Sequence, residues 1–532
     1  MSQPISFLST RLEFEFPATN THHGIPLGDG TFGALIWGED ADIRVTINRQ
    51  DYWDHRGGMD FHEEATYANL KRWLEAGDEE SLRKAFEDTR TDEHTPARPT
   101  RLPMGRIDLR LAAPFRIEGG GLDMARGEAV IEFAPGGVLR AVMSSPRGAS
   151  EGQPVLVMGL RGTEAAITAK PVYHEAVLQH FRQYGFPEAQ VFDEEAVGEV
   201  TGRFTGWVQE CPGEPAMCVG CLSVQAPGKT DIYVCAVYGG LEARTTGEEA
   251  KAAARTLLIE ASRLGYDKTS QREAEWWRDY WKQCPRITLP DRDRELLYYL
   301  GMYKLPGLSW PGGPAATLQG PWVEEYVMPP WSSDYHFNIN VQECYWPAYG
   351  GNQLQALQPL VEMIQSWLPQ LRANAKAFVG IEDGLQLPHA VDDRCRCMGG
   401  FWTGSIDHGS TAWTGQLFWQ LYRYSMDEQF LREVAYPFLK GAMRVYEAML
   451  EEQDGKFVLP VSVSPEYGGS GMSAWGRNAS FQLANIHFLC NSLAEASVVL
   501  GVDEADRRRW QDISARLPLA ATDPSGGQIW LW

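Results

Sequence analysis

Two asparagines lie in the segment whose residue types are best suited to bind a polar ligand. Asn338 and Asn340 stand two residues apart, between a tryptophan-rich loop and the start of a predicted helix. On a loop or helix start this spacing lets both amides face one ligand, and an amide can hold a water through its C=O and its NH2. Capping and turn formation, which asparagine also favours, is the alternative interpretation.

A carboxylate in a second segment is a candidate acid. Glu466 follows Pro465, which fixes the backbone, and precedes the glycines at positions 468 and 469. A rigid loop of this kind can aim one carboxyl group into a cleft. A surface glutamate is the alternative interpretation.

One motif suggests nucleotide binding but lacks the context for it. Gly28 to Gly33 matches the pattern G-x-G-x-x-G, which binds dinucleotides between a buried strand and a helix. We expect no buried strand before it, and Ala34 to Trp37 has the pattern of a strand and not of a helix. The motif therefore predicts a tight turn in a sheet.

Two groups of cysteines have spacings that suggest a metal. Cys218 and Cys221 form one pair, and Cys395 and Cys397 stand close to His389. Structural zinc needs four converging ligands, and neither group presents a second pair at the required spacing. We therefore predict buried cysteines, no metal and no cofactor.

The composition is that of an acidic globular protein. Its 532 residues include 48 Lys and Arg against 70 Asp and Glu, which gives a net charge of −22. Such a charge repels phosphate backbones and argues against nucleic-acid binding. No run of about 18 apolar residues and no secretory pattern is visible, so we expect no membrane span. Nine cysteines then favour a reduced, cytoplasmic protein.

Tryptophan is the compositional outlier, with 19 residues. They are equally consistent with a large aromatic core and with a carbohydrate site, where sugar faces stack on indole rings. Large aromatic side chains dominate cores, so core packing is expected for at least half of those near any site.

Strand patterns dominate residues 1–245 and predict an antiparallel sandwich. The clearest alternating runs are Ile43–Ile47, Gly105–Leu111, Ala129–Phe133, Gly137–Met143, Pro154–Leu160 and Asp231–Val237. Helical periodicity interrupts them at Glu63–Asp88 and His174–Tyr184.

Helical patterns dominate the remainder of the chain. Residues 246–290 predict a helical linker, and residues 291–532 a domain of helices and long loops. The expected helices of that domain are Arg292–Lys304, Leu354–Phe378, Thr411–Tyr424, Glu428–Glu452, Phe481–Leu500 and Glu504–Leu517. Loops that long in a compact domain are usually functional.

The two candidate segments resemble glycoside hydrolase family 95, the inverting α-L-fucosidases and related α-L-galactosidases. That family carries L-Q-G-x-W, P-P-W, N-I-N-x-Q-M-N-Y-W-P and S-P-E-N in this order. The matching residues here are Leu318–Gly320 with Trp322, Pro329–Trp331, Asn338–Asn340, Tyr345–Pro347 and Ser464–Glu466. Pro26–Ala34 and Ala435–Lys440 are also similar to the family.

The resemblance implies a fold and a set of roles. The fold is an N-terminal β-supersandwich, a helical linker and an (α/α)6 toroid barrel. Glu466 matches the general acid, and Asn338 and Asn340 match the pair that positions and polarises the attacking water. Inversion needs this acid protonated near neutral pH, for which Tyr467 and nearby tryptophans are candidate apolar walls.

The general base is not found among the family motifs of this sequence. The family's activating aspartate lies in a D-G-N-F-G motif, which this chain does not contain, while Gly527–Trp530 resembles the residues just before it. We therefore expect the sequence to be cut inside the catalytic domain, with the base beyond residue 532. In a complete chain Asp334, Asp392 or Asp393 would have to serve as base.

Substrate contacts are also implied by the resemblance. His336 stands where the family favours His for fucose, and His389 with Asp392 resembles its H-N-T-D motif. Candidates for the pocket wall are Trp331, Trp346, Trp402 and Trp413. Glu343, Cys344 and Tyr467 depart from the family pattern, so an α-L-galactosyl or related glycoside is an alternative to the fucoside.

Three functions follow from these residues. The first is an inverting exo-glycosidase that acts on oligosaccharides and binds neither nucleic acid nor membrane. The second is a phosphorylase-like enzyme on the same barrel, which would need a phosphate site. The third is a catalytically impaired sugar-binding protein, against which the retained Glu466, Asn338 and Asn340 argue.

Overall fold

The chain forms two compact units that alternate along the sequence. The computed structural model describes residues 11–87, 94–146, 153–196, 200–239, 245–464, 466–522 and 525. Unit 1 is Met1–Asp54, Thr100–Ser333 and Gly350–Pro359, and unit 2 is His55–Pro99, Asp334–Tyr349 and Leu360–Trp532. The boundaries proposed near residues 245 and 290 stay predictions.

Within the described residues, unit 1 contains two large antiparallel sheets, as the strand patterns predict, and one two-stranded sheet. Its strands are β1 (Arg11–Phe14), β2 (Ile25–Gly28), β3 (Phe32–Glu39), β4 (Asp42–Arg49), β5 (Trp53–Asp54), β6 (Thr100–Arg101), β7 (Gly105–Leu111), β8 (Arg116–Asp123), β9 (Glu128–Ala134), β10 (Gly137–Ser144), β11 (Val155–Arg161), β12 (Ala165–Pro171), β13 (Gln190–Ala196), β14 (Gly202–Gln209), β15 (Met217–Ala226) and β16 (Lys229–Tyr238). The larger sheet has the order β1-β8-β9-β10-β11-β16-β15-β14-β13 and the smaller one β12-β7-β4-β3-β2.

The alternation of residue types explains how these strands pack. In β7 the side chains of Ile107, Leu109 and Leu111 are buried, whereas Arg110 between them is exposed. Successive side chains of a strand point to opposite faces, so one face of β7 enters the core. The predicted N-terminal antiparallel sandwich is confirmed.

Fifteen α-helices are assigned within the described ranges. They are α1 (Tyr67–Ala76), α2 (Glu79–Phe86), α3 (Glu175–Gln183), α4 (Gly247–Leu264), α5 (Tyr266–Gln283), α6 (Arg292–Leu308), α7 (Asn340–Gly350), α8 (Gln358–Ser366), α9 (Leu368–Val379), α10 (Trp402–Ser405), α11 (Gly409–Ser425), α12 (Glu428–Phe430), α13 (Tyr436–Met449), α14 (Ser480–Leu500) and α15 (Glu504–Arg516). The predicted helical region after the sandwich is thereby confirmed.

Helix α4 shows why the sequence folds this way after the sandwich. Thr246 and Glu249 form a capping box at its start, which satisfies two backbone N–H groups. Ala250, Ala254 and Leu258 repeat every four residues and are buried in the core cluster with residues of β14, β15 and β16. The helix therefore covers one face of the larger sheet with its apolar stripe.

The glycine motif at residues 28–33 is the turn between β2 and β3. Asp29 Oδ1 accepts the N–H groups of Thr31 and Phe32, at 3.0 and 2.9 Å, and Gly30 has a φ of 99°. The expectation that no buried strand precedes the motif is wrong, because β2 is fully buried. The strand after it is confirmed, and a tight sheet turn lacks the helix that a dinucleotide site needs.

Two of the long helices predicted for the second half of the chain are interrupted in the structure. The expected helix Leu354–Phe378 is a 3₁₀ turn followed by α8 and α9, which are separated at Trp367 because Pro369, in the first turn of α9, has no N–H group to continue the ladder. The expected helix Glu428–Glu452 contains a π-helical turn at Leu431–Ala435 and ends at Met449. The described residues of unit 2 also form four short strands: β17 (Tyr335–His336), β18 (Ala390–Val391), β19 (Glu451–Gln453) and β20 (Lys456–Val458).

Helix α14 is long and apolar enough to cross a membrane by length and composition alone. Its mean hydropathy reaches 1.3, contrary to the expectation that no such segment exists, and 56% of that window is buried. A core helix passes the same test. The polar Gln482 and Ser497 are fully buried on it, so burial inside unit 2 accounts for its composition.

Candidate active site

A short pair of strands brings two distant histidines together in unit 2. β17 pairs with β18, with His336 opposite Ala390, and the Phe337 N–H donates to the His389 carbonyl oxygen at 2.6 Å. His336 and His389 therefore become neighbours although 53 residues separate them. Both side chains are buried.

Glu466 lies on a loop whose base is fixed by a backbone bridge. Ser462 and Gly476 exchange N–H···O=C bonds of 2.9 Å in both directions. Glu466 itself has a φ of 60°, in the left-handed region that non-glycine residues rarely adopt. Its side chain is 64% exposed, so the carboxyl group is open to solvent and to a substrate.

The carboxyl group of Glu466 is in contact with the predicted asparagine segment. Asn338 Nδ2 donates to Glu466 Oε1 at 2.8 Å, and Asn338 is buried. Its Oδ1 atom is buried without a hydrogen-bond partner among the described residues, so one acceptor is available beside the acid. Asn340, the half-buried first residue of α7, makes no such bond to Glu466 in the described structure.

The two histidines are hydrogen-bonded to each other beside the same oxygen. Their Nε2 atoms lie 2.8 Å apart, and each lies near Glu466 Oε1, at 3.5 Å from His336 and 4.0 Å from His389. A contact between two imidazole nitrogens requires that one donates and the other accepts. His336 Nδ1 also pairs with Asp334 Oδ1 at 2.9 Å. A row of buried polar side chains therefore leads from Asp334 to the exposed carboxyl group of Glu466.

Burial and charge have opposite effects on the pKa values of His336 and Asp334. Burial would lower the pKa of His336, but its hydrogen bond to Asp334 and the charges of Asp334 and Glu466 raise the pKa above its usual value. Burial raises the pKa of Asp334, an effect that the hydrogen bond to His336 partly offsets. The pair therefore favours a protonated His336 beside the candidate acid.

The structure separates the remaining predicted substrate contacts into two groups. Trp402 and Asp392 are fully buried, like His389, and their role as substrate contacts stays a prediction. Trp346 on α7 is 41% exposed, and Trp413 is half-buried against Phe481. These two stay candidates for a pocket wall.

Two further aromatic residues are highly exposed. Trp331 belongs to unit 1 and is 68% exposed, so it stays only a prediction as a pocket residue. Tyr467, expected to shield the acid, is itself 55% exposed and so provides little apolar cover.

Two clusters have the side chains of a metal site. They are His336 with His389 and Glu466, and His55 with Asp392 and Asp393. Two ligands of tetrahedral zinc lie roughly 3.3 Å apart when each bond is about 2.0 to 2.1 Å. The contacts here are 2.8 Å between the two Nε2 atoms and 2.7 Å between His55 Nε2 and Asp393 Oδ1. Both distances are those of direct hydrogen bonds.

The cysteines that suggested a metal are buried thiols. Burial raises the pKa of Cys221 to about 12 and holds that of Cys395 well above its usual value. At neutral pH such buried thiols are protonated. The prediction of buried cysteines is confirmed for Cys218 and Cys221, and Cys395 and Cys397 are buried as well.

Two residues beside this site were not predicted from the sequence. Asp407 has its Oδ2 atom 3.8 Å from His389 Nδ1, and Gln482 donates to Asp407 Oδ1 at 3.0 Å. Both are buried. A glutamine on the apolar helix α14 was the available signal for Gln482, whereas Asp407 lies in a long loop with no pattern.

Comparison with known proteins identifies the class of this fold and site. Residues 264–532, about half of the chain, match the family model described as "Glycosyl hydrolase family 95 catalytic domain". The chain therefore belongs to glycoside hydrolase family 95. The matched range includes the loop of Glu466 and the segment of Asn338.

Two relatives are similar over part of the sequence. A "Probable alpha-fucosidase A" of Aspergillus niger is 32% identical over 183 residues, which are 32% of this chain and 22% of that protein. An "Alpha-L-fucosidase 2" of Arabidopsis thaliana is 31% identical over 184 residues, 32% of this chain and 21% of that protein. The aligned part thus spans about a fifth of each relative.

A solved structure has a similar fold at low sequence identity. It is described as "Putative kojibiose phosphorylase from human microbiome", with a TM-score of 0.61 and 11% identity. The similarity covers 95% of this chain and 67% of that one. At this identity the match supports the arrangement of a sandwich followed by helices and carries no information about the reaction.

Proposed function

We propose that this protein hydrolyses terminal α-L-fucosyl residues of oligosaccharides, or the related α-L-galactosyl residues, with inversion at the anomeric carbon. The observation that carries the proposal is the hydrogen bond between Asn338 and the exposed carboxyl group of Glu466. Both residues stand at the family's catalytic motifs, within the matched catalytic domain.

Glu466 acts as the general acid in this proposal. Its proton goes to the glycosidic oxygen as the bond from that oxygen to the anomeric carbon breaks. The exposed carboxyl group can reach a glycosidic oxygen, and Asn338 fixes one of its two oxygens. The other oxygen is then the one that carries the proton.

Asn338 and Asn340 position the attacking water. The water oxygen bonds to the anomeric carbon from the opposite face, and its proton goes to a base. Asn338 Oδ1, which has no described partner, is a suitable acceptor for that water. An amide is a weak base, so a carboxylate must take the proton. The identity of that base stays a prediction.

The names of the relatives support the choice of sugar. Both aligned relatives are named as α-fucosidases. His336, where the family resemblance implies a preference for fucose, is buried but within 3.5 Å of Glu466 Oε1. We therefore rank the fucoside above the galactoside.

The test follows the anomer of the product. The protein that contains this chain is incubated with 2′-fucosyllactose and with 4-nitrophenyl α-L-fucoside or α-L-galactoside, and the first sugar released is observed by proton NMR. We expect the β anomer of L-fucose to appear before mutarotation. The α anomer would overturn inversion, and a fucosyl phosphate formed only with added phosphate would overturn hydrolysis. Release of neither sugar would overturn the proposal as a whole.

A further inference from the structure

Gln482 is the point where two buried routes to the candidate acid meet. The side chain is fully buried near the start of α14. Its Nε2 donates to Val463 O and to Asp407 Oδ1, each at 3.0 Å, and its Oε1 accepts the Tyr446 hydroxyl at 2.7 Å. Both N–H groups and one lone pair of the amide are therefore in use.

The first route runs through the backbone of the acid loop. Val463 lies three residues before Glu466 and one after Ser462, whose hydroxyl donates to Gly476 O and accepts from Ala479 N, both at 2.8 Å. The loop base is thus held at Ser462 by the bridge and at Val463 by Gln482. Glu466 needs such support, because its φ is positive and its exposed side chain has little packing.

The second route runs through the buried histidines. Asp407 Oδ1 accepts from Gln482 and from the Gly409 N–H, at 3.0 and 3.1 Å, which fixes the carboxyl group. Its Oδ2 faces His389 Nδ1 at 3.8 Å, and His389 Nε2 contacts His336 Nε2. Movement of Gln482 would therefore shift two groups together: the Asp407 carboxyl group, which faces His389, and the backbone of the Glu466 loop.

We propose that Gln482 is a positioning residue that holds the Glu466 carboxyl group in register with Asn338 and the two histidines. The inference rests on the proposed function for its kinetic consequence. The anchoring itself is a property of the fold. Gln482 touches no substrate and acts through Val463 and Asp407.

The test replaces Gln482 by the nearly isosteric Leu, which removes all three hydrogen bonds. We expect kcat on 2′-fucosyllactose to fall on the order of 10²-fold with KM changed less than about twofold, as misplacement of a catalytic group predicts. The loss on 4-nitrophenyl α-L-fucoside is smaller, because that leaving group needs little protonation. A merely structural role would lower the folded fraction and both rates equally.

A matched control lies one turn along the same helix. Asn485 is also buried, but its amide donates to Phe481 O at 3.1 Å within α14. Asn485→Leu is expected to leave unchanged the ratio of kcat on 2′-fucosyllactose to kcat on 4-nitrophenyl α-L-fucoside. Should Gln482→Leu fail to fold, Tyr446→Phe removes only the 2.7 Å bond and is expected to reduce the same ratio several-fold.

Hydrogen exchange separates this inference from the proposed function. Peptides covering residues 459–467 are expected to exchange faster in Gln482→Leu and not in Asn485→Leu, whether or not any fucoside is cleaved. Unchanged exchange there would overturn the anchoring. Faster exchange in a protein inactive on every fucoside would overturn only the proposed function, while an unchanged rate ratio in an active enzyme would overturn the positioning role.

Discussion

Glu466 combines three properties that a surface glutamate does not need. Its backbone is left-handed, its carboxyl oxygen accepts from a buried asparagine, and two buried histidines lie within 4.0 Å of that oxygen. A left-handed backbone costs roughly 1 to 3 kcal/mol at a non-glycine residue. The surrounding hydrogen bonds offset this cost, which agrees with a functional site.

Asp392 is a buried carboxyl group whose surroundings change its pKa. Its Oδ1 accepts the N–H groups of Arg394 and Arg396, at 2.9 and 2.8 Å, and so closes its own loop. Burial and the charge of Asp393 raise the pKa of Asp392 to about 6. A buried charge of this kind costs free energy that a neutral amide avoids.

The first prediction compares two substitutions of Asp392. Asp392→Asn keeps an acceptor for both N–H groups, so we expect KM unchanged and stability equal or higher at pH 7. Asp392→Ala leaves both N–H groups unpaired and is expected to cost about 2 to 5 kcal/mol in unfolding free energy. Urea unfolding and fucoside kinetics of both variants measure this. A large rise of KM in Asp392→Asn would contradict this expectation and support the predicted substrate contact.

At the scale of elements, the site depends on helices α11, α13 and α14 packing against one another. Tyr446 of α13 bonds Gln482 of α14, and its ring lies edge-to-face on His408, just before α11. His408 is fully buried between them, with Nδ1 3.1 Å from Ile406 O. Burial lowers the pKa of His408 from 6.5 to about 4.

The second prediction concerns the stability of this packing in acid. Between pH 6.5 and 4 the unfolded chain binds a proton at His408 that the native chain does not. The stability contributed by neutral His408 is therefore full above pH 6.5 and is lost as pH falls towards 4, by on the order of 3 kcal/mol. His408→Phe removes this dependence. Urea unfolding at pH 7 and pH 4.5 measures the difference.

An exposed histidine of the same unit provides the control. His62 lies in unit 2 and is exposed, so His62→Gln should keep the acid sensitivity of the parent. If His408→Phe loses as much unfolding free energy between the two pH values as the parent does, the assignment of acid sensitivity to His408 is incorrect.

Elements with strong periodicity were predictable from the sequence. Gly105–Leu111 was predicted as a strand and is β7, and the range Phe481–Leu500 differs from α14 by one residue. The interruption at Trp367 was missed although Pro369 marks it, since a proline inside a helical pattern ends or kinks the helix. The π-helical turn at Leu431–Ala435 was also missed.

The site was predictable only where a family motif marks it. Glu466 and Asn338 stand in such motifs and are in contact. Gln482 and Asp407 support these residues through contacts between positions far apart in sequence, and no local sequence pattern predicts such contacts. The full burial of Asp392 and Trp402 was not predictable either, because burial is a property of the folded chain.

At the scale of the whole molecule, the two units draw alternately on the sequence. Residues 55–99 belong to unit 2 although they interrupt the segments of unit 1. Tyr67 in this stretch donates to Val461 O at 2.9 Å and accepts the Val461 N–H at 3.1 Å, across 394 residues. Composition along the chain cannot reveal such an exchange, because it depends on contacts between residues far apart in sequence.

The central claim is that Glu466 protonates the leaving group of an α-L-fucoside, and leaving-group dependence tests it most directly. Nitrophenolate can leave without being protonated, whereas the lactose of 2′-fucosyllactose must receive a proton to leave. The exposed Glu382, which pairs with Lys376 in unit 2, supplies the control variant Glu382→Gln.

The measurement is kcat/KM of Glu466→Gln on both substrates beside the parent protein and Glu382→Gln. We expect a fall of about 10²- to 10⁴-fold on 2′-fucosyllactose and less than about tenfold on 4-nitrophenyl α-L-fucoside, with no change in the control. Equal losses on the two substrates, or full activity of Glu466→Gln on 2′-fucosyllactose, would contradict the assignment of Glu466 as the acid.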